Sequence, residues 1–159
     1  MILLRLAGAA LLAVSGAVAA SVINSADASA LSQTEGFISF IRICRVQIDC
    51  FSLPISEILN GCGERELFEC GYEKAEMPVD ISDFVLNCRV SDPEAYSLFS
   101  TFISEFGRGY RDEQLKACDY YIAMLEERRK KLSSALPAKR KRNATLCVCA
   151  SLALAILLL

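Results

Sequence analysis

Both ends of this chain are apolar, and that constrains everything between them. Ile2 to Ile23 carries one charge, Arg5, and Ala144 to Leu159 carries none. A 159-residue chain of this kind has room for one folded domain in its middle. The N-terminal run of 22 residues is long enough to cross a hydrocarbon core of about 30 Å, so 1–23 is expected as a transmembrane helix. Its Met-Ile-Leu-Leu-Arg start and the Ala-Val-Ala at 17–19 also fit a cleavable signal peptide. The C-terminal run of 16 residues, 144–159, makes about 24 Å of helix. That is short of a full span, and local thinning with snorkelling of Arg140, Lys141 and Arg142 would close the gap. The alternative is a buried core helix, against which stands an apolar surface on every side.

Charge is segregated along the chain. All 19 acidic residues lie between Asp27 and Glu127, where only 8 Lys or Arg accompany them, a net −11. From Arg128 to Arg142 the sign reverses, with 8 basic residues and no acid. A basic block beside an apolar segment marks a cytoplasmic membrane face, so Lys139, Arg140, Lys141 and Arg142 are read as membrane-orienting residues attracted to anionic lipid. The same block would suit nucleic acid in another setting, but its place against an apolar tail favours lipid.

Six cysteines, Cys44, Cys50, Cys62, Cys70, Cys88 and Cys118, are scattered through the middle, and Cys147 and Cys149 lie in the last apolar run. No Cys-x-x-Cys occurs and histidine is absent, so no metal site is expected. Free thiols in a reducing cytoplasm are the expectation; export would make them candidates for disulfides.

The middle has helical periodicity. Phe37, Phe40, Ile41, Cys44, Ile48 and Phe51 recur at three and four, which predicts a long helix from about Ala28 to Cys50. Pro54 suits the first turn of a short helix with Ile55, Ile58 and Leu59, closed by Gly61 and Gly63. A further short turn or helix spans Glu64 to Cys70. Asp80 is placed to cap a helix carrying Ile81, Phe84, Val85 and Cys88. A helix from Pro93 to Phe106 presents Tyr96, Phe99, Phe102, Ile103 and Phe106. After Gly107-Arg108-Gly109 a last helix carries Leu115, Cys118, Ile122, Leu125, Leu132 and Leu136, with a kink or break at Pro137.

No stretch alternates as a half-buried strand would. The fold class is therefore all-α. A cytoplasmic antiparallel helical bundle, 24–136, is flanked by N- and C-terminal transmembrane helices at 1–23 and 144–159, with a basic juxtamembrane linker at 137–143.

Catalytic chemistry is not indicated. There is no histidine base and no phosphate-binding loop, and Glu64, Glu66, Glu69, Glu73 and Glu76 read as a solvated face. No enzyme, cofactor, metal, nucleic acid or small-molecule substrate is expected.

Three stretches carry a resemblance: FIRICRVQIDCFSLPISEIL from Phe40 to Leu59, FISEFGRGYRDEQL from Phe102 to Leu115, and EERRKK from Glu126 to Lys131 with the apolar tail beyond it. In these the chain resembles the stage III sporulation protein AB family, whose long helix, Leu-Pro helix start and glycine-turn helical hairpin they match. The family has Thr-Pro where this chain has Phe51-Ser52, and a glycine-rich last segment where this one is rich in Ala, Cys and Leu.

The resemblance implies a cytoplasmic domain similar to that of the type II secretion inner-membrane platform protein. It also implies work with an ATPase, stage III sporulation protein AA, and with other proteins of the channel between mother cell and forespore, in the mother-cell membrane around the forespore. The acidic middle would then be a docking surface for a basic face of the ATPase. Glu105, Asp112, Glu113 and Asp119 near the hairpin turn are the expected contacts, with Asp49 and Glu57 as a second patch. The alternative is a membrane-anchored helical adaptor or regulator unrelated to secretion.

Overall fold

The computed structural model describes residues 2–51 and 55–158; for 2–7, 9–13, 17, 51, 55–56, 60, 152 and 154–158 it gives the backbone alone. Six helices follow in order: α1 (Ile2–Phe51), α2 (Ile55–Gly61), α3 (Glu64–Glu69), α4 (Ile81–Leu86), α5 (Pro93–Glu105) and α6 (Arg111–Leu158). Among the described residues the only β pairing is an isolated antiparallel bridge between Tyr72 and Cys88. The expected helix start at Pro54 and the inward place of the Phe51 side chain lie outside the described residues.

Two compact units divide the chain, one formed by 1–28 with 133–159 and the other by 29–132. In the central unit the helical stripe of α1 is buried: Phe37, Phe40, Ile41, Cys44 and Ile48 all lie in the core. Antiparallel packing against α6 follows from three ion pairs whose positions rise on one helix as they fall on the other. Arg42 meets Glu126, Arg45 meets Asp119, and Asp49 meets Arg111. The α5–α6 pair runs the same way, since Asp92 at the start of α5 reaches Arg128 while Phe102 and Glu105 near its end reach Tyr121. Phe99 of α5 stacks on Phe37 at 4.1 Å and 8°, and meets Phe84 of α4 edge-on at 5.9 Å and 90°. Such offset and perpendicular ring contacts add to burial.

Local signals place the short elements. Asp80 caps α4 by accepting from the Asp83 N–H at 2.7 Å, and Asp92 caps α5 by accepting from the Ala95 N–H at 3.3 Å with Pro93 in the first turn. The 70–91 segment is pinned to α1 by Gln33, buried at 3 % exposure. Its amide NH2 donates to the Cys70 and Arg89 carbonyls, and its carbonyl accepts from the Ser91 N–H at 2.9 Å. Two glycines permit this approach. Gly71 adopts φ +89°, a conformation that disfavours side chains, and a Cβ on Gly36 would overlap the Glu69 carbonyl.

In the terminal unit the two helical stretches lie antiparallel. Asp27 accepts from Lys139 Nζ at 2.9 Å, Asn24 from Asn143 Nδ2 at 3.3 Å, and a Cβ on Gly16 would overlap Ser151 Oγ. Val14, Val18 and Val22 are exposed on α1, as are Leu146 and Val148 on α6.

Two expectations are corrected. The all-α class holds, but the flanking transmembrane helices at 1–23 and 144–159 do not: among the described residues no helix is long and apolar enough to cross a membrane. Arg5, Ser15 and Ser21 interrupt the apolar stretch of 1–23 in α1. The apolar end of α6, at 16 residues, is cut off by Arg142 and Asn143, whereas a span needs about 20 apolar residues. Helix ends also differ. Nothing between Ile2 and Ala28 breaks α1, which runs on past its expected start, and α6 continues through Pro137.

Candidate partner-docking site

The turn between α5 and α6 is built by local chemistry. Helix α5 ends at Glu105, its Phe106 cap is extended at φ −63° and ψ 137°, and Gly107 takes φ +80° to reverse the chain. At the start of α6 the Glu113 carboxylate accepts the Tyr110 N–H at 3.1 Å, and Gln114 Nε2 donates to the Gly109 carbonyl at 2.7 Å. These bonds satisfy backbone groups left open where a helix begins and a turn ends.

That geometry brings Glu105 and Glu113 to the rim of one cavity of about 140 Å³, floored by Phe102, Phe106 and Ala117. Among the described residues no basic side chain lines it. Glu105 is held in place by the Tyr121 hydroxyl, which donates to it at 2.9 Å. Burial, then this hydrogen bond to a carboxylate, pushes the Tyr121 phenol up to about 12, so it remains a donor at neutral pH. An apolar hollow under two carboxylates suits a lysine or arginine, whose stem packs on the aromatic floor while its head meets the rim.

The remaining sequence-selected residues are dispersed. Asp112 is exposed in the first turn of α6, 3.9 Å from Arg111. Asp119 is held by Arg45 Nε at 2.6 Å and Asp49 by Arg111 at 2.5 Å, so both are committed to α1–α6 packing. Glu57 is exposed in the first turn of α2. Among the basic residues, Lys139 is paired with Asp27, whereas Arg140, Lys141 and Arg142 are exposed.

Sequence reasoning missed Tyr121, whose link to Glu105 spans 16 positions and follows only from the hairpin register. It also grouped Arg128 with the basic block. Arg128 instead donates from Nε and Nη2 to both oxygens of Asp92 at 2.7 Å, and reaches Glu94 at 2.5 Å. That fork holds the Asp92 carboxyl below the usual carboxylate range.

The cysteines carry no disulfide among the described residues, and Cys44, Cys62, Cys70, Cys88 and Cys118 are buried. Burial raises every one of these thiols, Cys62 and Cys118 to about 11 and Cys88 to about 12. Thiols so raised are poor nucleophiles at neutral pH.

Comparison with protein-family models, curated proteins and solved structures returns no match for this chain.

Proposed function

We propose that this chain is a non-enzymatic docking component that holds a basic cytoplasmic partner through the α5–α6 turn. The observation that carries the proposal is the pair of carboxylates, Glu105 and Glu113, over a cavity with an aromatic floor and, among the described residues, no cation on its wall. Around it the 27–127 stretch carries −11, which draws a basic surface in and speeds encounter. The resemblance of the helical hairpin to the stage III sporulation protein AB family names the partner. It is a secretion-type ATPase, stage III sporulation protein AA, in the assembly that joins mother cell and forespore.

The test is a pull-down of that purified ATPase on the immobilised chain. Retention at low salt, lost on raising salt and weakened by Glu105→Gln with Glu113→Gln, is the expected result. Those substitutions keep both hydrogen-bond acceptors and remove only charge. Absence of retention at low salt would refute the named partner and leave the alternative of an adaptor unrelated to secretion.

A further inference from the structure

A larger cavity, of about 470 Å³, opens between α3 and the 72–77 segment. Its wall is apolar where Leu67, Phe68, Ala75 and Met77 meet, and its charged lining is Glu64, Glu76, Arg65 and Lys74. Phe68 is 77 % exposed and Met77 44 % exposed, unusual for a phenylalanine and a methionine beside a buried core residue such as Leu67. Tyr72, also on the wall and 6 % exposed, has a buried hydroxyl with no hydrogen-bond partner among the described residues.

Charge specifies the occupant. The rim cations are already taken within the fold, Arg65 by Glu69 at 2.9 Å and Lys74 by Asp83 at 2.8 Å. Glu64 and Glu76 make no ion pair among the described residues, and the segment from Glu64 to Asp83 holds seven acids against two bases. The surface is thus an apolar groove with a net negative edge.

We infer that this groove takes a basic amphipathic helix of a partner protein, its apolar face on Phe68 and Met77 and its Lys or Arg residues against Glu64 and Glu76. Such a helix offers apolar anchors at three- and four-residue spacing with cations flanking them, which is the complement of the groove. Phe68 acts as the central aromatic anchor, and the acidic rim orients the incoming segment. This goes beyond the hairpin reading and uses none of its residues.

The probe is a fluorescein-labelled leucine/lysine peptide patterned as an amphipathic helix, titrated by anisotropy into the full-length chain. Controls are a scrambled peptide of identical composition and a leucine/glutamate peptide of identical pattern. The patterned basic peptide is expected to bind, with both controls weaker by about tenfold or more. Phe68→Ser with Met77→Ser should weaken it about tenfold, and Glu64→Gln with Glu76→Gln severalfold with a flatter salt dependence. Leu86→Ser, at a site 79 % exposed on α4, and Glu105→Gln with Glu113→Gln should change nothing. Circular dichroism confirms that each variant is folded, and the charge pair provides a second route should the Phe68 variant not be.

Equal binding of the scrambled peptide would overturn the inference, since it would show charge attraction alone. So would insensitivity to the Phe68 and Glu64 variants, or loss on changing Glu105 and Glu113. Sedimentation showing a dimer that dissociates on Phe68→Ser would assign the groove to a second copy of this chain and overturn it equally.

Discussion

Replacing Arg128 by methionine isolates one buried contact whose size can be worked out. The guanidinium forks onto Asp92 through two charge-assisted hydrogen bonds of 2.7 Å, and the Asp92 side chain is only 7 % exposed. Removing one member of a fully buried pair costs about 3–5 kcal/mol, because the other charge is left desolvated. Here the cost is reduced twice. Arg128 is 23 % exposed, so water can reach the vacated site, and Asp92 keeps its capping bond from the Ala95 N–H. The Glu94 contact adds little, since that carboxylate is 57 % exposed.

Arg128→Met should therefore lower stability by about 2–3 kcal/mol, read as a shift in the urea midpoint at unchanged slope at pH 7. Asp92→Ser in the same chain keeps a capping oxygen and removes the stranded charge, so it should restore most of the loss. A loss below about 0.5 kcal/mol in the single variant, in the range of a surface pair, would refute the burial argument.

Acid should act on the same pair. The folded-state carboxyl of Asp92 is held low by Arg128, so its contribution is complete above about pH 4 and is lost as pH falls through the depressed folded value. The gap in unfolding free energy between the wild type and Asp92→Asn should then narrow as pH falls below about 4, and a gap constant with pH would count against the assignment. Gly36→Ala places a Cβ against the Glu69 carbonyl and should destabilise by about 1–3 kcal/mol, whereas Gly61→Ala, in open space, should not. Thiol titration with a chromogenic disulfide should label the exposed Cys50 and Cys149 quickly; the five buried thiols should react only on denaturation, and rapid labelling of Cys44 or Cys70 would contradict their burial.

Much of the central fold is legible in the sequence because it rests on local rules. The three-and-four spacing from Phe37 to Ile48 marks the buried stripe of α1, and Asp80 announces its helix as a cap. What sequence misses depends on contacts between distant positions. Arg128 stands in a run of cations and reads as part of it, yet it forks onto Asp92, 36 positions away. Gln33 looks like a surface residue until the 70–91 segment brings it two carbonyls and an N–H. The apolar ends mislead for a different reason: hydrophobic composition is visible, but polar interruptions and a charged boundary decide whether a helix can span.

At the candidate docking site, Glu105 and Glu113 are legible as acids near a glycine turn. Their convergence over Phe102 and Phe106 needs the hairpin register, as does the Tyr121 bond that fixes one of them. Asp49 and Asp119 show the limit of choosing acids by position, since each is already spent on an α1–α6 ion pair. Glu105 and Glu113 are left as the pair that can receive a cation without dismantling the fold.

The docking claim is tested most directly by titrating the full-length chain with the purified ATPase, stage III sporulation protein AA, at low and at physiological salt, alongside the Glu105→Gln/Glu113→Gln variant. Saturable binding at low salt that weakens as salt rises is expected, with the variant about tenfold weaker and shallower in its salt dependence. Equal affinity of the wild type and the variant at both salts would contradict the docking claim.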